Sequence, residues 1–400
     1  MTDDHRPSAH GGDWYSFQEE RGFLPLDFSA NVSPLGLPES ARAAAGRALN
    51  ESARYPDPDC RALRKAIAQE YGVPVEWIFC GNGAADIIYR AAYAARPRRA
   101  LLLAPCFEEY ERALRSAGAE VDFYFPDAVS QGGGHAAGPA DRFTIRDASR
   151  FLEHVQPDTD MIILGEPNNP TGLCTERDVL TQIADYCESR GIRLVLDECF
   201  MDFVEDSEKR SWIHRWSFSP TEIQYQNVCV LRAFTKFYGM AGLRLGWCVI
   251  PDSDFLRKVQ LAGPPWAVSC AAQAAGIAAL KEHGYREELR ALIARERPRL
   301  AEGLERLGFF VLPGEANFLA FYVPAGLYPG NTDSTKKRAA DPMRKKQINL
   351  DELLRPYGIM IRDLRSFRGL GSGWYRTAVR TKEENERLLN ALSEIFKVNL

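Results

Sequence analysis

Short apolar runs alternate with longer amphipathic stretches through the middle of the chain. Trp77-Ile78-Phe79-Cys80 reads as a buried strand, Gly81-Asn82-Gly83 as a turn, and residues 84–95 as a helix. Residues 99–104 predict the next strand and 108–116 the next helix. Met161-Ile162-Ile163-Leu164 predicts a third strand, 177–189 a helix, and Arg193-Leu194-Val195-Leu196-Asp197 a fourth strand. Val228-Cys229-Val230-Leu231 and Gly246-Trp247-Cys248-Val249-Ile250 add two more. Alternation of this kind implies an α/β fold, a mainly parallel sheet covered by helices, and ligands in such sheets collect at the carboxyl ends of the strands. Cys80, Ala104, Leu164, Asp197 and Leu231 mark those ends, and nearly every polar motif lies just beyond one of them. Gly263-Pro264-Pro265 reads as a hinge. A single long helical stretch over 269–307 is expected to lead from it into a smaller C-terminal domain, giving a large domain over 51–265, a small one over 266–400, and residues 1–50 joining the latter. Residues 131–138, rich in glycine, and 332–347, rich in lysine and arginine, read as solvated loops.

The connection between the last two strands carries the most pointed chemistry. Phe234-Thr235-Lys236-Phe237-Tyr238-Gly239-Met240-Ala241-Gly242-Leu243-Arg244 places a lysine in a sheltered position, where an amine loses its proton more easily and attacks a carbonyl to form a Schiff base. Arg244 offers the permanent charge that a phosphate needs. Asp197 ends a buried strand, where a carboxylate is costly without a partner, and a protonated ring nitrogen is such a partner. Glu166-Pro167-Asn168-Asn169-Pro170-Thr171-Gly172 is a turn by composition, with Asn169 able to donate to a phenolate oxygen. Gly81-Asn82-Gly83 presents free backbone N–H groups and a helix dipole to a phosphate, although it lacks the Gly-Lys-Ser/Thr of a P-loop.

Composition narrows the class further. The chain has 400 residues, 45% hydrophobic and 26% charged, with a formal net charge of −4. That is ordinary globular composition without the basic excess of a nucleic-acid binder. No apolar run approaches a membrane span, and Met1-Thr2-Asp3-Asp4-His5-Arg6 lacks a signal peptide's apolar core, so a cytoplasmic protein is expected. Nine cysteines without a Cys-x-x-Cys pair read as reduced, buried small residues, and no metal site is expected.

In combination, Gly81-Asn82-Gly83, Asn169-Pro170-Thr171-Gly172, Asp197-Glu198, and Thr235-Lys236 with Arg244 stand in the order of the fold-type-I pyridoxal-phosphate enzymes, and the chain resembles that family from about Asp27 to Leu392. The resemblance implies a seven-stranded large domain, a smaller α+β domain, and pyridoxal 5'-phosphate as cofactor. By it Lys236 is the Schiff-base lysine and proton shuttle, Asp197 pairs the ring nitrogen, Asn169 binds the ring oxygen and Phe107 stacks on the ring. Gly83, Ala84, Thr235 and Arg244 hold the phosphate. Tyr55, in Arg54-Tyr55-Pro56, matches a tyrosine that reaches the phosphate of a neighbouring subunit, implying a homodimer with shared active sites.

Two sister families are most alike: histidinol-phosphate aminotransferase and the threonine-phosphate decarboxylase of cobalamin synthesis. Both handle a small amine bearing a phosphate; Arg376 matches an arginine that grips a substrate carboxylate and Arg362 one that meets the substrate phosphate. Ala9-His10-Gly11-Gly12, Phe28-Ser29-Ala30-Asn31, Pro265-Trp266-Ala267-Val268 and Arg380 follow the decarboxylase pattern, with His10 and Asn31 as further substrate contacts. Phe200 stands where the aminotransferase usually carries a tyrosine. The expected reaction is decarboxylation of L-threonine O-3-phosphate to (R)-1-aminopropan-2-ol O-phosphate. Transamination of histidinol phosphate with 2-oxoglutarate is the alternative, and threonine phosphate is not separated from serine phosphate. A regulator that keeps this domain as a sensor would carry a fused helix-turn-helix module, for which the segment before Asp27 is too short.

Overall fold

The computed structural model describes residues 11–126, 143–217, 225–328 and 349–398. His10 and the two segments read as loops, 131–138 and 332–347, lie outside the described residues. Within them the strands are β1 (Leu26–Asp27), β2 (Ile78–Gly81), β3 (Arg99–Leu103), β4 (Glu120–Tyr124), β5 (Thr159–Gly165), β6 (Arg193–Asp197), β7 (Val228–Ala233), β8 (Gly246–Val249), β9 (Phe310–Val311), β10 (Phe318–Tyr322), β11 (Ile359–Met360), β12 (Arg362–Asp363) and β13 (Trp374–Ala378). Seven form one sheet in the order β2-β8-β7-β6-β5-β3-β4, parallel throughout except for β8.

The central strands are apolar on both faces because both faces are covered. Met161 and Ile163 of β5 pack with the helices Gly83–Ala95, Glu108–Ser116 and Ser253–Leu261, whereas Ile162 and Leu164 face the other core, with the helices Arg61–Tyr71 and Arg177–Arg190. Strand β4 escaped the pattern reading. It is an edge strand that alternates acidic with apolar residues, and Glu120 and Asp122 pair with Arg99 of β3.

The helix expected over 269–307 is two helices, Cys270–Ala279 and His283–Arg306, with Glu282 at φ −88°, ψ 68° between them. Their partners differ, and that is the physical reason for the break. The first is built of small residues and packs along the helix Glu39–Ala48, while the second turns Leu289, Ile293, Leu300 and Leu304 into the core beside the smaller sheet.

That smaller sheet is antiparallel, in the order β12-β13-β10-β9. The amino-terminal segment ties it to the larger one. Strand β1 pairs in parallel with β11, and the Phe28 carbonyl accepts from Ala378 N at 2.8 Å. A few residues on, Ser33 N donates to the Lys236 carbonyl at 2.9 Å, and the Tyr285 hydroxyl lies 2.6 Å from Ser33 Oγ and 3.0 Å from the Phe237 carbonyl.

Below the ends of β6 and β7 lies a buried ion cluster. Arg232 donates from Nε to Glu198 at 3.1 Å, from Nη1 to Asp202 at 2.8 Å and from Nη2 to Ser211 Oγ at 2.8 Å, while Trp212 N and Ser211 Oγ complete the bonds to Glu198. Removing one member strands a buried charge, which costs about 3–5 kcal/mol. Arg232→Met is therefore expected to lower stability by that order, read from the urea-unfolding midpoint. A loss below about 1 kcal/mol would contradict the cluster's role.

Candidate active site

A cavity of about 490 Å³ opens where the strand ends converge, lined by residues that follow β2, β3, β5, β6 and β7. Lys236 stands in the helical turn Phe234–Phe237 directly after β7, half-buried, with its amine in the cavity. Burial pushes that amine down to about 8, helped by the guanidinium groups of Arg376 and Arg244 and opposed by Cys199 and Asp197.

Asp197, at the end of β6, is 7% exposed. Its Oδ2 accepts from the Tyr110 hydroxyl at 2.6 Å and its Oδ1 from Cys199 N at 3.0 Å. Burial and the adjacent carboxylate hold the Tyr110 phenol well above its ordinary value, so it remains a donor. Tyr110 was not singled out in the sequence. It lies three residues after Phe107 at the start of one helix, so helical spacing was the signal that could have found it. Phe107 itself lines the cavity and meets Tyr110 edge to face at 5.6 Å.

The 166–172 turn is held by its surroundings: Asn168 Nδ2 donates to the Pro105 carbonyl at 2.9 Å, and Thr175 N donates to Glu166 at 2.8 Å. Asn169 projects from this turn into the cavity, and its Oδ1 accepts from Arg376 Nη1, which leaves the amide NH2 as the donor. Across the cavity, Gly83 at φ +80° opens the helix Gly83–Ala95. That left-handed φ favours glycine, and a Cβ there would stand 2.7 Å from Nη2 of the exposed Arg244, which lies over the helix start. Ala84, Thr235 and Arg244 line the same end.

The opposite end is cationic. Arg362 of β12 and Arg376 of β13 are register partners, 9% and 6% exposed. Burial and the neighbouring Arg362 bring Arg376 down to about 9. Arg376 also donates from Nη2 to the Ser29 carbonyl at 2.9 Å, and its Nε has no partner among the described residues. Asn31 lines the cavity at 2% exposure, with Oδ1 likewise without a partner among the described residues. Gly11, next to His10, is at the wall too, and a Cβ there would come within 2.2 Å of the Ser29 carbonyl. Phe200 and Phe318 meet edge to face at 5.0 Å, with Phe200 as an apolar wall. Glu108, Glu109, Cys199 and Phe367 are lining residues that the motifs did not indicate.

Gly83 meets the wall only through its neighbour Ala84, whereas Tyr55 is set apart altogether. It is 78% exposed, stacked on Trp266 at 4.5 Å, and not on the wall of this cavity. The remaining residues fit pyridoxal 5'-phosphate on chemical grounds: a depressed lysine, a buried carboxylate, an oriented amide donor, and a helix start with a cation. Among the described residues no helix is long and apolar enough to cross a membrane.

A seven-stranded mixed sheet with a lysine after β7 and an aspartate closing β6 defines a fold-type-I enzyme of the aminotransferase class. The chain belongs to the family Aminotransferase class I and II, whose profile matches residues 25–392, and members of the family use pyridoxal 5'-phosphate. It is 35% identical over 393 residues to the threonine-phosphate decarboxylase of Salmonella typhimurium, covering 97% of each chain. It is 31% identical over 376 residues to a histidinol-phosphate aminotransferase of Nitratidesulfovibrio vulgaris, covering 93% of this chain and 88% of that one. The fold matches the histidinol-phosphate aminotransferase of Sinorhizobium meliloti, solved in complex with pyridoxal-5'-phosphate, with TM-score 0.75 and 20% identity over 96% of this chain and 94% of that one.

In the cofactor-free protein, the Lys236 amine is expected to be half-deprotonated near pH 8, mostly ammonium below and mostly free amine above. Competitive acylation read by mass spectrometry would show a labelling midpoint there. A midpoint at the ordinary lysine value would overturn the account of this amine.

Proposed function

We propose that this chain catalyses the pyridoxal-phosphate-dependent decarboxylation of L-threonine O-3-phosphate to (R)-1-aminopropan-2-ol O-phosphate, a step of cobalamin synthesis. The observation that carries the reading is the pair of buried arginines, Arg362 and Arg376, side by side in register and facing the same cavity as Lys236. Two adjacent buried guanidinium groups repel each other and lack the solvent that would screen them, so the site favours a compact ligand with two anionic groups. The 35% identity to a threonine-phosphate decarboxylase supports the same choice.

The bound cofactor supplies an electron sink next to the substrate's α-carbon. Lys236 supplies the amine, and its lowered basicity lets it exchange a proton near neutral pH. Asp197, fixed by Tyr110, holds the ring-nitrogen end, and the Asn169 amide donates at the ring oxygen. Phe107 covers the ring, and Gly83, Ala84, Thr235 and Arg244 take the cofactor phosphate. Arg376 receives the substrate carboxylate, while Arg362, Asn31 and His10 receive its phosphate end. A carboxylate loses charge as carbon dioxide leaves, so holding it by an ion pair stabilises the ground state. Arg376 therefore contributes through orientation, by presenting the carbon–carboxyl bond for cleavage. The electrons of that bond stay with the α-carbon, and Lys236 or a water returns a proton there.

We further propose a homodimer in which Tyr55 serves the partner's cofactor phosphate, in keeping with its exposure and its absence from the wall of its own chain's cavity.

The test is incubation of the cofactor-loaded protein with threonine phosphate, and separately with histidinol phosphate plus 2-oxoglutarate. Carbon dioxide without glutamate is the expected result, falling about a hundredfold in kcat/KM for Arg376→Lys. Glutamate formed from histidinol phosphate would replace this reading with the aminotransferase. A sedimentation mass of one 44.9 kDa chain would contradict the dimer.

A further inference from the structure

Arg380 follows β13 and is absent from the cavity wall, yet its guanidinium is committed to the segment that forms that wall. Its Nη1 donates to the Asp27 carbonyl at 3.1 Å and its Nη2 to Glu384 Oε1 at 2.8 Å, and the group lies 5.8 Å from the centre of the Phe28 ring. Its main chain is clamped as well: Arg380 N donates to Asn385 Oδ1 at 3.0 Å, and Asn385 Nδ2 returns a bond to the Arg380 carbonyl at 2.9 Å. Glu384 is anchored by its capping box with Thr381 at the start of the helix Lys382–Phe396. Arg380 is thus a post fixed by its main chain and Nη2, whose Nη1 reaches the amino-terminal strand, while its buried Nε has no hydrogen-bond partner among the described residues.

From Asp27 the connection continues inward. Asp27 Oδ1 accepts from Ser29 N at 2.7 Å, from Ser29 Oγ at 2.6 Å and from Ala30 N at 3.3 Å, closing a tight turn. That turn aims the Ser29 carbonyl at Arg376 Nη2, 2.9 Å away. Ser29 Oγ also accepts from Gly12 N at 2.8 Å, so the Gly11 wall rests on the same turn. The chain of contacts runs Arg380, Asp27, Ser29, Arg376, and each link is a directional hydrogen bond.

We propose that Arg380 is a positioning residue for Arg376: by fixing the Asp27 turn it sets the guanidinium that receives the substrate carboxylate. This rests on the reading of Arg376 given above. A displaced carboxylate contact costs rate and affinity steeply, because orientation is what that contact supplies. The effect is selective. Ligands that carry a carboxylate feel the loss, and ligands without one do not.

The experiment compares wild type, Arg380→Met and Arg380→Lys, all cofactor-loaded, using kcat and KM for threonine phosphate and inhibition constants for two probes. The probes are serine phosphate, which keeps the carboxylate, and ethanolamine phosphate, which lacks it. Arg380→Met is expected to lower kcat/KM and to weaken serine phosphate by about tenfold or more, with ethanolamine phosphate unchanged within about twofold. Arg380→Lys, which keeps a donor for the Asp27 carbonyl, is expected to recover part of the loss. Equal weakening of both probes would overturn the proposal, showing a general structural role, and so would a variant that discriminates as well as wild type. A wild-type protein that binds both probes equally would mean that Arg376 does not grip a carboxylate, which removes the premise and the proposal with it. Absence of carbon dioxide with intact discrimination would instead count against the decarboxylase reading alone.

Discussion

The structure is organised around one electrostatic constraint: a lysine amine kept in a sheltered cavity in the company of guanidinium groups. Lys236 shares its cavity with Arg244, Arg362 and Arg376, and burial together with Arg376 and Arg244 lowers its proton affinity. The same cations that lower the amine's basicity make the cavity a receptor for anions. Nucleophile and anion recognition are thus two consequences of one charge arrangement. Asp197 is the counterweight. It is held by Tyr110 and the Cys199 amide and is not tied up in an ion pair with Lys236, so its charge remains directed at the end of the cavity where a ring nitrogen would lie.

This arrangement requires residues from both sheets to meet. Lys236 and Asp197 come from the larger sheet, Arg362 and Arg376 from the smaller, and the amino-terminal segment joins them. It pairs with β11, accepts from Arg376 and Arg380 through its carbonyls, and donates to the Lys236 carbonyl. A segment of about ten residues therefore links the amine to the two buried arginines. Its contacts are mainly backbone hydrogen bonds, whose directionality fixes position better than apolar packing alone.

Much of this was legible in the sequence, for a physical reason. Strands buried on both faces give continuous apolar runs such as Met161 to Leu164, and the polar residue that closes each run falls at the sheet edge where ligands collect. Lys236, Asp197 and Asn169 were found that way and share one cavity. What escaped depends on long-range pairing. Strand β4 is defined by its ion pairs with Arg99, the break at Glu282 by a change of packing partner, and the orientation of the Asn169 amide by Arg376, 207 positions away. Tyr110 is an intermediate case. Its helical spacing from Phe107 was visible, but its bond to Asp197 spans 87 positions and appears only when β3 and β6 share a sheet.

The coupling between the arginines and the lysine can be measured directly. Replacing Arg376 with methionine removes a charge that depresses the Lys236 amine, so in the cofactor-free variant the acylation midpoint of Lys236 should rise above the value of about 8 that holds with Arg376 in place. A rise toward the ordinary lysine range would establish that recognition and reactivity share one field. A midpoint unchanged or lowered by the substitution would contradict it.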